Sequence, residues 1–199
     1  MKIYLLALHL EKTLFCILET ANSSSSTPVW YAMSAPYHRE LQARDWFADR
    51  GIETFVPMRY EIVTHRDGVK SRELIPAIHN LLFVHTTPAV MRELKPRLPI
   101  IQYLTCPVNG RNEPILVPEM QMAQFIRVSN SCSDHLLYFR PEELNLRRGT
   151  PVRIIGGPFD GVEGTFVKVQ GIRNRRVVVQ LTGLLAIAAE VHPDLIQIL

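Results

Sequence analysis

Cysteine is scarce in this 199-residue chain. Cys16, Cys106 and Cys132 are the only three, and none of them forms the CxxC spacing that a zinc ribbon or a redox pair requires. Their odd number and wide separation point to reduced thiols in a cytoplasmic protein. The histidines, His9, His38, His65, His79, His85, His135 and His192, are equally scattered. Without an HExxH or a His/Asp grouping, the sequence pattern offers no metal centre. No run of 18 apolar residues occurs, so no membrane span is expected. The apolar start "MKIYLLALHL" breaks at Glu11 and Lys12, and no small-x-small cleavage site follows, which argues against a secretory signal.

Nucleotide-binding and catalytic patterns are missing too. "VRIIGGPFDGVEGTFVKV" (152–169) holds a glycine cluster, but "TFVKV" follows it rather than a helix, and no GK[ST] or GxGxxG closes it. Its glycines are expected to turn the chain between short strands. No carboxylate pair, triad or metal cluster suggests an enzyme, and no cofactor is expected.

The composition, 47% hydrophobic and 21% charged, is that of a folded protein. The net charge of +3 is unevenly spread. Residues 1–28 balance two Lys against two acids, 29–145 balance 13 against 13, and 146–199 carry 7 basic against 4 acidic residues. A mildly basic C-terminal module permits contact with phosphate without demanding it.

Along the chain, 1–28 forms an N-terminal extension ending in the Ser23–Ser26 run. "PVWYAMSA" predicts a strand. Pro36 in a first turn then opens a helix "YHRELQARDWFADR", with Glu40 and Arg44 as an i,i+4 pair and Gly51 as its stop. "IETFVP" is a strand, and Asp67-Gly68 between alternating flanks predicts a hairpin. "NLLFVHT" is a buried strand, "PAVMRELKPRL" a helix and "IIQYLT" a strand. This β-α-β, hairpin, β-α-β order fits a split βαβ, ferredoxin-like α+β sandwich. A further amphipathic helix is expected over 117–130. An aperiodic stretch over 131–146 leads to a small all-β barrel over 147–199.

"WYAMSAPYHRELQARDWFADRGIETFVP" followed by "GTPVRIIGGPFDGVEG" resembles the NGN and KOW domains of the NusG/Spt5 family of transcription elongation factors, in that order. "IHNLLFVHTT", "LLYFRPEELNL" and "GGPFDGVEGTFVKVQGIRNRRVVVQL" resemble its UpxY-type branch, specialised antiterminators of capsular polysaccharide operons. The resemblance implies an NGN domain over 29–130, a linker over 131–146 and an SH3-like KOW domain over 147–199. Gly157, Pro158, Phe159 and Gly164 match the KOW signature.

It also implies a non-enzymatic, cytoplasmic factor that suppresses pausing and termination while its NGN domain docks on the clamp helices of RNA polymerase. In the family an aromatic-Pro-Gly/Asn-Tyr-x-Phe-Val strand contributes to that surface. Here it falls on residues 78–84, where Asn80, Phe83 and Val84 match while Ile78 and Leu81 replace aromatics. Tyr31, Leu81 and Phe83 are the expected polymerase contacts, with Trp30 assigned to packing. His38, Arg39, Gln42 and Arg44 on the first helix are the candidates for contacting non-template DNA or a nascent RNA leader, with Tyr37 as an aromatic for stacking. Rho and ribosomal protein uS10 are not expected partners, because Leu181, Thr182, Gly183 and Leu184 stand where the family has an apolar-Phe-Gly-Arg loop. Arg173, Arg175 and Arg176 form a basic hairpin as a further partner surface. The alternative reading is a KOW-containing RNA-binding or ribosome-associated protein.

Overall fold

A computed structural model of the protein describes residues 26–131, 136–139, 149–168, 175–181 and 184–199. These divide into two compact units. The first comprises residues up to Val56 with His79–Glu119, and the second Pro57–Ile78 with Met120–Leu199.

The first unit is built on β1 (Val29–Ser34), β2 (Glu53–Phe55), β5 (Leu81–Thr86) and β6 (Gln102–Tyr103), in the order β2-β5-β1-β6 with every neighbouring pair antiparallel. A short β9 (Leu116–Val117) also pairs with β1. Helix α1 (Glu40–Ala48) connects β1 to β2, and α2 (Pro88–Leu94) connects β5 to β6. This order and these crossovers are those of a split βαβ sandwich. The central strands are buried on both faces: Trp30 to Met33 and Leu81 to Val84 are all enclosed. That is why they read as continuous rather than alternating apolar runs. Helix α1 lies against β2 and β5 and buries Ala43 and Phe47. A second hairpin, β7 (Thr105–Val108) with β8 (Arg111–Pro114), turns on Asn109 and Gly110, both at positive φ.

Two local readings are corrected here. The first helix does not begin at Pro36. Tyr37 and His38 have φ of 64° and 56°, left-handed values that a right-handed helix cannot include, so Pro36–His38 is a turn and the helix starts at Glu40. Nor do Glu40 and Arg44 pair: Glu40 is buried, and Arg44 bonds instead to Asp45, Nε to Oδ1 at 2.9 Å. The second helix starts at Pro88 as expected, with Thr87 Oγ1 accepting from Val90 N, but gives way to a 3-10 turn at Lys95–Arg97. Pro96 in that turn has no N–H with which to continue the α-helical ladder.

The second unit contains the expected hairpin, β3 (Met58–Thr64) with β4 (Lys70–Pro76), registered from Met58 opposite Pro76 to Thr64 opposite Lys70. Its turn is closed by His65 N to Val69 O at 2.8 Å and by Val69 N to Asp67 Oδ1 at 3.0 Å. Helix α3 (Glu119–Ser129) buries Met122, Phe125 and Val128. Beyond it lies an antiparallel sheet of β10 (Leu137–Phe139), β11 (Thr150–Ile154), β12 (Glu163–Lys168), β13 (Arg175–Leu181), β14 (Leu185–Ala189) and β15 (Ile196–Ile198). Its order is β10-β14-β13-β12-β11-β15. Val167, Val178, Ala186 and Ala188 form one cluster of its core, against which Leu137 and Phe139 pack.

The stretch read as aperiodic therefore supplies a strand. Tyr138 within it packs edge-on to Phe125 and shares a 2.8 Å hydrogen bond with Ser129 Oγ. Cys106, on β7, is disulfide-bonded, with its partner outside the described residues. The free-thiol reading is corrected at that position.

Candidate nucleic-acid interface

The turn between β1 and α1 places polar and aromatic groups in solvent. Tyr37 is 83% exposed on a left-handed backbone, φ 64°. The Arg39 guanidinium sits 5.7 Å from the Tyr37 ring centroid. His38 and Gln42 are also exposed, the latter one position short of a helical turn beyond Arg39. An aromatic face with a guanidinium beside it can stack on a base and neutralise its phosphate.

One backbone and one side-chain hydrogen bond hold the turn to the segment preceding β5. Ala35 N donates to Asn80 O at 2.9 Å, and His38 N donates to Asn80 Oδ1 at 2.9 Å. Asn80 itself is left-handed, φ 65°, a conformation asparagine tolerates better than most residues. The structure thus brings Tyr37, His38 and Arg39 together. Arg44 is set apart, its charge offset by Asp45 at 2.8 Å. Just past the end of the helix, Arg50 lies over the Trp46 ring at 3.6 Å.

The residues expected to meet polymerase are placed differently. Tyr31 and Leu81 are 6% and 5% exposed, and Phe83 is fully enclosed, its ring 6.5 Å from that of Phe55. They are core residues, since strands covered on both faces leave no side to a partner. Burial also pushes the Tyr31 phenol above its ordinary pKa, with Tyr103 adding to the shift and Arg92 opposing it. Tyr103 is raised by its own burial, again against Arg92.

An exposed apolar set that sequence reasoning missed is on the β3–β4 hairpin. Tyr60, Ile62 and Leu74 are exposed, and register puts Tyr60 opposite Leu74 and Ile62 opposite Arg72. Arg72 lies over the Tyr60 ring at 4.1 Å. Their alternation along β3 was the available signal.

In the second unit, Gly157 is at φ +71° within the 155–162 turn, Pro158 is exposed and Phe159 is buried. The turn is closed by Gly161 N to Ile154 O at 2.8 Å and Val162 N to Phe159 O at 3.0 Å. The amides here serve the turn, which agrees with glycines that shape a fold rather than cradle a phosphate. Arg176 is corrected as a surface cation: it is 7% exposed and its guanidinium donates to Glu190 Oε2 at 3.3 Å. Arg175 begins β13, and Arg173, Thr182 and Gly183 lie outside the described residues. Leu181 is buried at the end of β13.

The class defined by the first unit is an α+β protein with a split βαβ sheet and a polar, aromatic-bearing turn at its first crossover. Over residues 28–126 the chain matches the family model described as "Transcription termination factor nusG", so it carries a NusG-family domain. No curated protein matches the chain significantly. Among solved structures the chain is similar to one described as "Domain interaction in Thermotoga maritima NusG", with 15% identity over 86% of this chain and 97% of that one and a TM-score of 0.44. NusG-family factors are non-enzymatic transcription factors that interact with RNA polymerase and nucleic acids. No helix among the described residues is long and apolar enough to cross a membrane.

Proposed function

We propose that the protein is a cytoplasmic transcription elongation and antitermination factor that binds RNA polymerase and acts on particular operons, of the capsular polysaccharide kind its UpxY-type sequence resemblance implies. The observation that carries this reading is the NusG-family domain over residues 28–126. The domain binds polymerase as an NGN domain does, on the clamp helices. Residues 147–199 act as a KOW module, whose sheet also takes in β10 (Leu137–Phe139) from the stretch 131–146.

Docking on the polymerase cannot distinguish operons, because one enzyme transcribes them all. Discrimination comes from nucleic-acid contacts. The exposed Tyr37, His38, Arg39 and Gln42 support a role in holding a single strand, non-template DNA or a nascent leader. The exposed apolar face of the β3–β4 hairpin supplies a protein-facing surface.

The test is single-round transcription with purified polymerase on templates carrying a terminator behind the cognate leader or an unrelated one. Read-through that increases only behind the cognate leader supports the proposal. Copurification with ribosomes but not with polymerase would replace it with the ribosome-associated reading.

A further inference from the structure

We propose that His38, Glu40 and His79 form a binding site for a divalent first-row transition-metal ion, with Zn²⁺ the ion whose chemistry matches. One ligating atom from each of the three lies within 4.8 Å of the others. His38 Nδ1 and His79 Nδ1 are 3.1 Å apart, their rings edge to face at 88°. Two ligands at ordinary zinc–nitrogen bond lengths and a tetrahedral angle stand about 3.3 Å apart, so the imidazoles already have nearly the required separation. His79 Nδ1 is 4.0 Å from Glu40 Oε1. The three ligating atoms, all within 4.8 Å of one another, would reach zinc separations by small rotations of the exposed His38 and His79 side chains.

The second, independent observation is Glu40 itself. It is 1% exposed, and its Oε2 has no hydrogen-bond partner. The other oxygen of the group, Oε1, is the one that faces His79 Nδ1; a carboxylate enclosed with one oxygen lacking a donor is costly to the fold, and a cation bound to the group would offset that cost. The other His–carboxylate groups differ on this point. His85 meets Glu53 and Glu119, and His65 meets Glu73, in each case through carboxylates that are solvent-exposed.

The backbone around the site is built for fixed geometry. Tyr37, His38 and Asn80 are all left-handed, and the bonds from Ala35 N and His38 N to Asn80 tie the two segments together. Two imidazoles and a carboxylate suit Zn²⁺ and its first-row neighbours, whereas Mg²⁺ and Ca²⁺ prefer all-oxygen sets. Three protein ligands leave a fourth position for solvent. An ion here would staple the turn before α1 to the segment before β5 and fix the direction of Tyr37 and Arg39. The proposal is independent of the transcription reading, because the ion binds whichever partner the protein serves.

The test is titration of chelator-stripped full-length protein with ZnSO₄ by calorimetry, alongside the visible absorption of Co²⁺ at the same site and thermal melting. One ion per chain is expected, with Kd of about 1 µM or tighter and a melting temperature that rises with Zn²⁺. His38→Ala and His79→Ala, both at exposed positions that a folded protein tolerates, are expected to weaken binding at least about tenfold and abolish the melting shift. Glu40→Gln should do the same and bleach the Co²⁺ spectrum, while His65→Ala leaves all three readouts unchanged. Wild-type binding weaker than about 100 µM, or equal binding by His79→Ala and wild type, overturns the proposal.

Discussion

Gly164 lies so close to the neighbouring strand that a Cβ built on it would come within 2.6 Å of the Val178 carbonyl oxygen and 2.9 Å of Val177 Cγ1. The obstacle is backbone, which cannot rotate away as a side-chain tip can. Gly164→Ala is therefore expected to force β12 and β13 apart and lower stability by about 1–3 kcal/mol, seen as a reduced urea midpoint. An unchanged midpoint would mean the strands separate freely there. Gly161, at φ +78° but with open space around it, is strained by substitution for a different reason.

Placement of the apolar residues sets opposite outcomes for two aspartates. Leu81→Asp puts a charge in the core of the first unit and is expected to unfold it, at a cost of several kcal/mol. Ile62→Asp falls on an exposed hairpin position, 69% accessible, and should leave far-UV circular dichroism and melting unchanged while reducing polymerase capture. A folded Ile62→Asp protein that retains full capture would remove the hairpin from the docking surface.

Exposure and pairing rank the arginines at the start of the first helix and on it. Arg39 stands beside Tyr37, whereas Arg44 is engaged by Asp45. Tyr37→Ala is expected to weaken single-stranded DNA binding by about 1–3 kcal/mol, with Arg39→Ala lowering affinity and salt dependence more than Arg44→Ala. Fluorescence anisotropy at several salt concentrations measures both. Equal effects of the two arginines would show that the pair with Asp45 opens on binding.

The buried Tyr31 and half-buried Tyr103 tie stability to alkaline pH. Tyr31 and Tyr103, whose rings lie 5.9 Å apart, both have raised pKa values in the folded protein. Above the ordinary value of 10.0 the unfolded chain loses phenolic protons that the folded one retains, so stability is full below that pH and falls as pH rises through it. Melting temperature should drop on that alkaline side, less steeply in Tyr31→Phe. A flat profile across that range would contradict the burial of both phenols.

Cys106 is disulfide-bonded, which fixes a thiol count. Protein isolated without reductant and denatured should show two fewer alkylatable thiols than the same protein after reduction, measured as a mass difference. Equal counts before and after would return Cys106 to the free-thiol state the sequence suggested.

Periodicity and turn chemistry by themselves determined the β-α-β, hairpin, β-α-β order and the central strands. "NLLFVHT" read as a buried strand, Asp67-Gly68 between alternating residues as a hairpin turn and Pro88 as a helix start, and the structure has all three, whereas the same proline reading failed at Pro36, where left-handed Tyr37 and His38 follow. The second hairpin was hidden although Asn109-Gly110 is a turn dipeptide, since "RNEP" in β8 has no apolar face to announce a strand. β10 was hidden for a related reason: three residues, Leu137–Phe139, acquire their strand from pairing with β14 rather than from their own pattern.

Only the tertiary structure decided which face of each element is solvent. Leu81 and Phe83 look like a hydrophobic surface in one dimension and become core once β5 lies between β1 and β2 with both sides covered. Glu40 looks like half of a helical ion pair, yet the left-handed Tyr37 and His38 delay the helix start and turn its carboxylate inward, beside a histidine 39 positions away. Sequence spacing cannot reveal such a meeting, because it depends on the fold returning the chain to the same place.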